Sequence, residues 1–202
     1  MYRGRIRIGL GLGLGVVLVM GGCGDPVDEE QTPQSGGWRT VGCEMAQVPQ
    51  HVTVGNATMP ATPPALRAAM DRIGAAGRGE FADSYAGLEV DEERARAVVY
   101  RVPSEAFDDV IRRAAGHACI EVRDALHSGN DLAGWHDRVV ADLPFWSHRG
   151  VRIVSVGARH DGSGVEIGAI DVDKTRQELT DRYGARAPLV FVAQAPVRPL
   201  NQ

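Results

Sequence analysis

Between residues 81 and 195 the apolar positions run twice through the same order, period two and then period 3.6. Residues 85–90 and 95–102 predict a hairpin around Asp91-Glu92-Glu93, and Val98-Val99-Tyr100-Arg101-Val102 is rich in strand formers. Phe107, Val110, Ile111 and Ala114 then fall on one helical face. Ser104 stands before them as a cap. Glu105, Asp108 and Asp109 come first and Arg112 and Arg113 last, the charge order that complements a helix dipole. Gly116 stops the helix, and residues 118–122 predict a strand. The second pass has a hairpin over 151–158 and 164–170 around Asp161-Gly162-Ser163-Gly164. A helix follows from about Asp171, with Val172, Leu179 and Tyr183 inward and Gly184 at its end. Residues 188–193 predict the closing strand.

Between the two passes, Leu132, Trp135, Val139 and Leu143 line one side of a linker helix that begins at Ser128 or Asn130. Pro144 breaks it, and Phe145-Trp146 is expected to tuck under the core. The fold class is therefore α+β. The body, 81–195, is read as two small ββαβ halves, 81–126 and 150–195, joined by a helix over 130–143, with helices packed on antiparallel or mixed sheets.

The pattern is weaker upstream. Residues 41–80 read as an N-terminal arm in which His51-Val52-Thr53-Val54 suggests a short strand. A helix follows, with Thr62 as its cap, Pro63 at its first position and Leu66, Met70 and Ile73 on one face. Gly74, Gly77 and Gly79 are expected to fray its end. Residues 23–40 carry Asp25, Asp28, Glu29 and Glu30, then Gln, Thr, Pro, Ser and Gly. They read as a disordered acidic tether. Residues 196–202 form a tail.

Residues 9–20 are apolar and follow Arg3, Arg5 and Arg7; Gly21-Gly22-Cys23 comes next. A basic tip, a short apolar run and small residues at the cut make a secretory signal. The apolar run is short of the roughly 20 residues that cross a bilayer core. A transmembrane anchor or plain secretion is the alternative. The Cys placed directly after the small residues resembles a bacterial lipoprotein signal, the lipobox, with Met20 where that motif usually has Leu. The resemblance implies that residues 1–22 are a signal peptide, that Cys23 takes a diacylglyceryl group and that Cys23 becomes the mature N-terminus. The protein would then sit on the extracytoplasmic face of the cell membrane, its partner there the lipid bilayer held through acylated Cys23.

Removing residues 1–22 strips three Arg and no acid, so the formal charge moves from −4 to −7. That balance argues against nucleic acid as a partner, since nucleic-acid binding needs a basic face. With Cys23 acylated, Cys43 and Cys119 remain. An oxidising compartment permits a disulfide between them; two buried free thiols are the alternative.

The stretch 81–195 resembles the pro-regions of secreted bacterial serine proteases of the alpha-lytic protease and streptogrisin type. The resemblance rests on Phe81-Ala82-Asp83-Ser84-Tyr85, on the 98–102 strand, and on the Ser128-Gly129-Asn130-Asp131-Leu132 helix start. It rests also on Gly164-Val165-Glu166-Ile167-Gly168 and on Arg182-Tyr183-Gly184 before the last strand. The second hairpin turn differs, having Asp161-Gly162-Ser163-Gly164 where the family normally has an Asn. No protease domain follows before Gln202. In that family the region catalyses folding of its own protease and inhibits it tightly, so the resemblance implies a module that docks on another protein.

Catalytic chemistry is thin in this chain. Asp161-Gly162-Ser163-Gly164 lies between strands, whereas a nucleophile elbow lies between a strand and a helix; it reads as a turn beside a solvated His160. His51, His117, His127, His136, His148 and His160 include no i, i+4 pair, so no metal site is expected. Asp171, Asp173 and Glu166 lack the density of a calcium loop, and helix capping explains the aspartates. Trp135, Phe145 and Trp146 are read as core, with an exposed aromatic patch as the alternative.

These readings converge on a membrane-anchored lipoprotein without catalytic residues or cofactor, acting as a protein-interaction module, inhibitor-like or foldase-like, toward a secreted protein such as a serine protease. The alternatives are a tethered hydrolase with dispersed residues, Ser163, His160 and Asp161 first among them, or a small-ligand-binding lipoprotein.

Overall fold

The computed structural model describes residues 36–196. Cys23, the signal, most of the tether and the last six residues lie outside that range. Strand β1 (Gly37–Arg39) is followed by a 3-10 turn (Val41–Glu44), hairpin strands β2 (Gln50–Val54) and β3 (Ala57–Ala61), and helix α1 (Pro64–Arg78). Strands β4 (Tyr85–Asp91) and β5 (Arg96–Arg101), helix α2 (Glu105–Ala115) and strand β6 (Cys119–Asp124) come next. Helices α3 (Gly129–Ala141) and α4 (Leu143–His148) lead to β7 (Ile153–Ala158), β8 (Val165–Ala169), α5 (Val172–Tyr183) and β9 (Leu189–Ala193).

The fold is α+β with two ββαβ halves. The first sheet has the order β1-β6-β5-β4; β4 and β5 are antiparallel, β5 and β6 parallel, and β1 runs antiparallel to β6. The second has the order β7-β8-β9, with an antiparallel and then a parallel pair. Both first strands carry a register irregularity near their start, between Tyr85 and Gly87 and between Ile153 and Ser155. A parallel pair needs a crossover, and α2 and α5 supply it. Local chemistry starts and stops these helices. Ser104 accepts from the Phe107 amide, Ser128 from Asp131 and Asp171 from Lys174. Gly116 and Gly184 follow α2 and α5 with φ of 56° and 87°, where a side chain would be strained.

Each half has its own core. Leu66, Ala69 and Ile73 of α1 meet Phe107 and Ile111 of α2 over Ala97, Val99, Ile120 and Val122 of the sheet. Phe107 stacks on Phe81 at 5.1 Å and takes the edge of Tyr85 at 6.1 Å. In the second half Leu132, Val139 and Trp146 cover Val165 and Ile167 beside Leu179. Trp146 Nε1 donates to the Tyr183 hydroxyl at 3.3 Å, and that hydroxyl donates to Asp142 at 2.7 Å.

Several expectations need correction. The tether does not extend to residue 40: residues 37–39 form an edge strand whose Trp38 sits opposite Val122. Thr40 seals it, donating to Ala118 O and accepting from Ile120 N, both at 2.9 Å. Helix α1 is capped by Pro63, while the Thr62 hydroxyl donates to Glu92 at 2.8 Å. It does not fray at Gly74 or Gly77. Gly77 faces the Tyr85 ring, where a Cβ would stand 2.5 Å from the nearest ring carbon, so the glycine is there for close approach. Because α1 completes the first core, it belongs with the first half and not to a separate arm. Pro144 ends α3 and also opens α4, in whose first turn its missing N–H costs nothing. Trp146 is buried as expected, but Phe145 is 40% exposed and lies under the Arg182 guanidinium at 4.3 Å. Among the described residues no helix is long and apolar enough to cross a membrane.

Candidate functional site: the open face of the first sheet

Strand alternation splits the first sheet into two faces. One carries Ala97, Val99, Ile120 and Val122 into the helical core. The other carries Glu89 and Asp91 of β4, Arg96, Val98 and Tyr100 of β5, and Glu121 and Arg123 of β6, with Arg39 of β1 directly opposite Glu121. Among the described residues no α-helix lines the groove at the charged end of that second face.

The other end of this face is roofed by the β7–β8 turn. Val98, Tyr100, Ala86 and Ala125 form a small buried cluster there. The turn reaches it because Gly162 (φ 72°) lets the backbone lie against Ala125 and Ala86. The His127 amide donates to Gly162 O at 3.1 Å. Gly87 likewise has no room for a Cβ beneath the His160 backbone. The side chains complete the joint. Tyr100 donates to Glu89 Oε1 at 2.8 Å, His160 Nε2 bonds Glu89 Oε2 at 3.0 Å, and the His160 ring meets the Tyr100 ring edge-on at 5.7 Å.

These contacts shift both acids. Burial, with the Glu89 carboxylate beside it, pushes the Tyr100 hydroxyl from 10.0 up to about 12. Burial alone would raise Glu89, but hydrogen bonds from His160 and Tyr100 outweigh it and hold the carboxyl below its ordinary value. A raised folded-state pKa gives stability that is complete below the unfolded value and is lost as pH climbs through the folded one. The Tyr100 contribution should therefore disappear between about pH 10 and about pH 12. Denaturant midpoints measured across that range should fall more steeply for the native chain than for Tyr100→Phe; parallel curves would refute the assignment.

The uncovered end is a guanidinium cluster. Glu121 accepts from Arg96 at 2.7 Å and Arg123 at 2.9 Å, and pairs with Arg39 at 3.4 Å. Asp91 holds Arg94 at 3.0 Å and Arg96 at 3.1 Å. Burial would raise Glu121, but the hydrogen bond and charge of Arg123, with Arg39 and Arg96, bring it below the usual carboxylate range. Four guanidinium groups thus share two carboxylates, while the Arg39 and Arg94 side chains stay 63% and 72% exposed. A groove of about 360 Å³ runs beside them, lined also by Met45, Gln47 and Glu121. Among the described residues, Arg39 and Arg94 keep donors free for a second carboxylate, and bidentate geometry is what guanidinium offers.

Cys43 and Cys119 border this groove and are joined as a disulfide, their Cα atoms 4.2 Å apart. The bond fixes the 3-10 turn to the first residue of β6, and so fixes the wall that carries Arg39.

The candidate hydrolytic residues are neighbours with other duties. Asp161 accepts from both the Ser163 hydroxyl, at 2.6 Å, and the Ser163 amide, at 2.9 Å, an Asx turn. His160 Nε2 is turned to Glu89. His136 bonds Asp137 and His148 bonds Pro144 O. Among the described residues no group of three or more His, Cys, Asp and Glu is placed to hold a metal ion. Asp171 caps α5, Asp109 pairs with Arg112, and Asp108 pairs with Arg101. Sequence reasoning passed over Arg39, Arg94, Arg96, Glu121 and Arg123. The signal for part of the set was there: Glu121-Val122-Arg123 alternates charge about an apolar residue, the period-two pattern of a strand with one apolar and one polar face. No protein-family model matches the chain, and no curated protein matches it at a significant level.

Proposed function

We propose that the chain is a membrane-anchored extracytoplasmic lipoprotein, held through acylated Cys23, and that its body is a non-catalytic module that docks another secreted protein, in the manner of a protease pro-region. The observation that carries the docking role is the uncovered, guanidinium-rich end of the first sheet. It is rigidly framed, by the disulfide on one side and the His160 turn on the other, and two of its arginines are solvent-facing. Such a surface fits a partner segment bearing Asp or Glu. The polar partners of Ser163 and His160 support a structural role for the turn over a hydrolytic one.

The test is binding to secreted serine proteases of the same organism, with native protein and with an Arg39→Glu/Arg94→Glu variant. Complex formation that slows hydrolysis of a peptide substrate, and that weakens at least about tenfold in the variant, supports the reading. No complex with any secreted protein, or binding unaffected by both charge reversals, would sink it.

A further inference from the structure

The disulfide lies within the charged groove and not behind it. Strand alternation puts Cys119 on the same face of β6 as Glu121 and Arg123, and the parallel register sets it directly opposite Arg96. Cys43 reaches that face from the 3-10 turn, and both cysteines line the groove with Arg39, Arg94 and Arg96. Glu121 is the one acid in that lining, so three guanidinium groups stand against one carboxylate. Glu44, next to Cys43 in the chain, is exposed and lies outside the lining. The groove is therefore cationic, although the chain as a whole carries −4.

Such surroundings favour one kind of reagent. Thiol–disulfide exchange begins when a thiolate attacks a disulfide sulfur, and a cationic cleft concentrates anions. A small thiol that also carries a carboxylate is attracted twice, through its sulfur and through the second anion, which guanidinium groups hold side-on. The two cysteines are not equivalent. Cys43 is half-buried, whereas Cys119 is only 7% exposed, so the entering thiolate meets Cys43. Cys119 is then the leaving group, and Arg96, its neighbour across the strands, stabilises the negative charge that develops on it.

We propose that Cys43–Cys119 is an exchange site for a small carboxylate-bearing thiol. The thiolate bonds to Cys43 Sγ, the bond between Cys43 and Cys119 breaks, and its electron pair leaves on Cys119 Sγ as a thiolate. The chain is then capped at Cys43 and reduced at Cys119. A second thiolate attacks the sulfur of the cap, which leaves as the oxidised thiol dimer while Cys43 takes the electron pair. While the cap is in place, it sets a further carboxylate among the arginines and unties the 3-10 turn from β6, so exchange alters the wall that presents Arg39. No partner protein takes part, so a failed protease complex would leave this chemistry untouched.

Reduction rates of the full protein in neutral detergent test it with two thiols, anionic mercaptopropionate and neutral mercaptoethanol, each rate expressed per thiolate. The chain unfolded in urea supplies the intrinsic ratio of the two rates. At low salt the folded protein should favour the anionic thiol by at least about tenfold more than the unfolded chain does, and the excess should shrink at about 1 M salt. Arg39→Glu/Arg94→Glu should remove the excess. Arg94→Gln, which leaves β1 as it is, should lower it, and Arg113→Glu, an exposed position of α2 outside the groove, should keep it. Early quenching with iodoacetamide, followed by peptide mapping, should find the cap on Cys43 and the alkyl group on Cys119. A rate ratio no higher than that of the unfolded chain, or an excess that survives both Arg39→Glu/Arg94→Glu and Arg94→Gln, overturns the proposal. So does a cap found on Cys119, or a folded protein that resists both thiols.

Discussion

Replacing Cys43 and Cys119 together with alanine should lower the stability of the body by about 4 kcal/mol, because the bond closes a loop between positions 76 residues apart. The loss should be uneven. β1 is three residues long and stands at the edge of its sheet. Apart from its pairing with β6, it is held by Thr40, by the Arg112 guanidinium 4.5 Å over Trp38, and by the disulfide that follows. Without the covalent link, amide exchange at residues 38–40 should rise well before exchange in α2 or β5 does. Denaturant unfolding and hydrogen exchange on the double variant check both parts. An unchanged midpoint, or exchange that rises uniformly, would contradict the bracing role assigned to the bond. Reduction of the native protein should reproduce the variant.

Arg101→Met should cost about 3–5 kcal/mol, since it leaves two carboxylates facing a site built for a guanidinium. Arg101 ends β5 with a side chain only 6% exposed. Its Nε and Nη2 donate to Asp108 on α2 at 2.7 and 3.2 Å, and its Nη1 bonds Asp124 at the end of β6. One guanidinium thus ties together the strand, crossover helix and strand of a parallel unit. The side chain is long and its apolar stem is kept by methionine, so lost charge and not lost volume should dominate. A double variant separates these causes: Arg101→Met/Asp108→Leu should recover part of the loss. A loss below about 1 kcal/mol would place this group with ordinary surface pairs.

What could be read from the sequence was local. Ser104, Ser128 and Asp171 cap their helices through bonds to residues three further on, and Gly116 and Gly184 follow two of them with positive φ. Such signals need no partner from elsewhere in the chain, so the order of elements in both halves was legible. β1 was not, because Gly37-Trp38-Arg39 is too short to show a period, and its strand character comes from β6, more than 80 residues away. β3 was hidden by Pro60, which suits only the outer edge of a hairpin. Helix α1 was legible, but its place was not: Leu66 and Ile73 are equally good partners for any apolar surface until α2 is seen beside them. Phe145 and Trp146 are adjacent, so one had to face outward, and nothing local says which. The charged face depended most on long-range pairing, since Arg39, Arg96 and Glu121 meet only after three strands align.

The anchored-module reading stands or falls on how the chain is processed. Intact-mass spectrometry of the protein extracted from its native membranes should find a polypeptide that begins at Cys23, heavier than its sequence by a diacylglyceryl group, with Cys43 and Cys119 oxidised. A product that retains residues 1–22, or one that begins elsewhere with an unmodified Cys23, would contradict it.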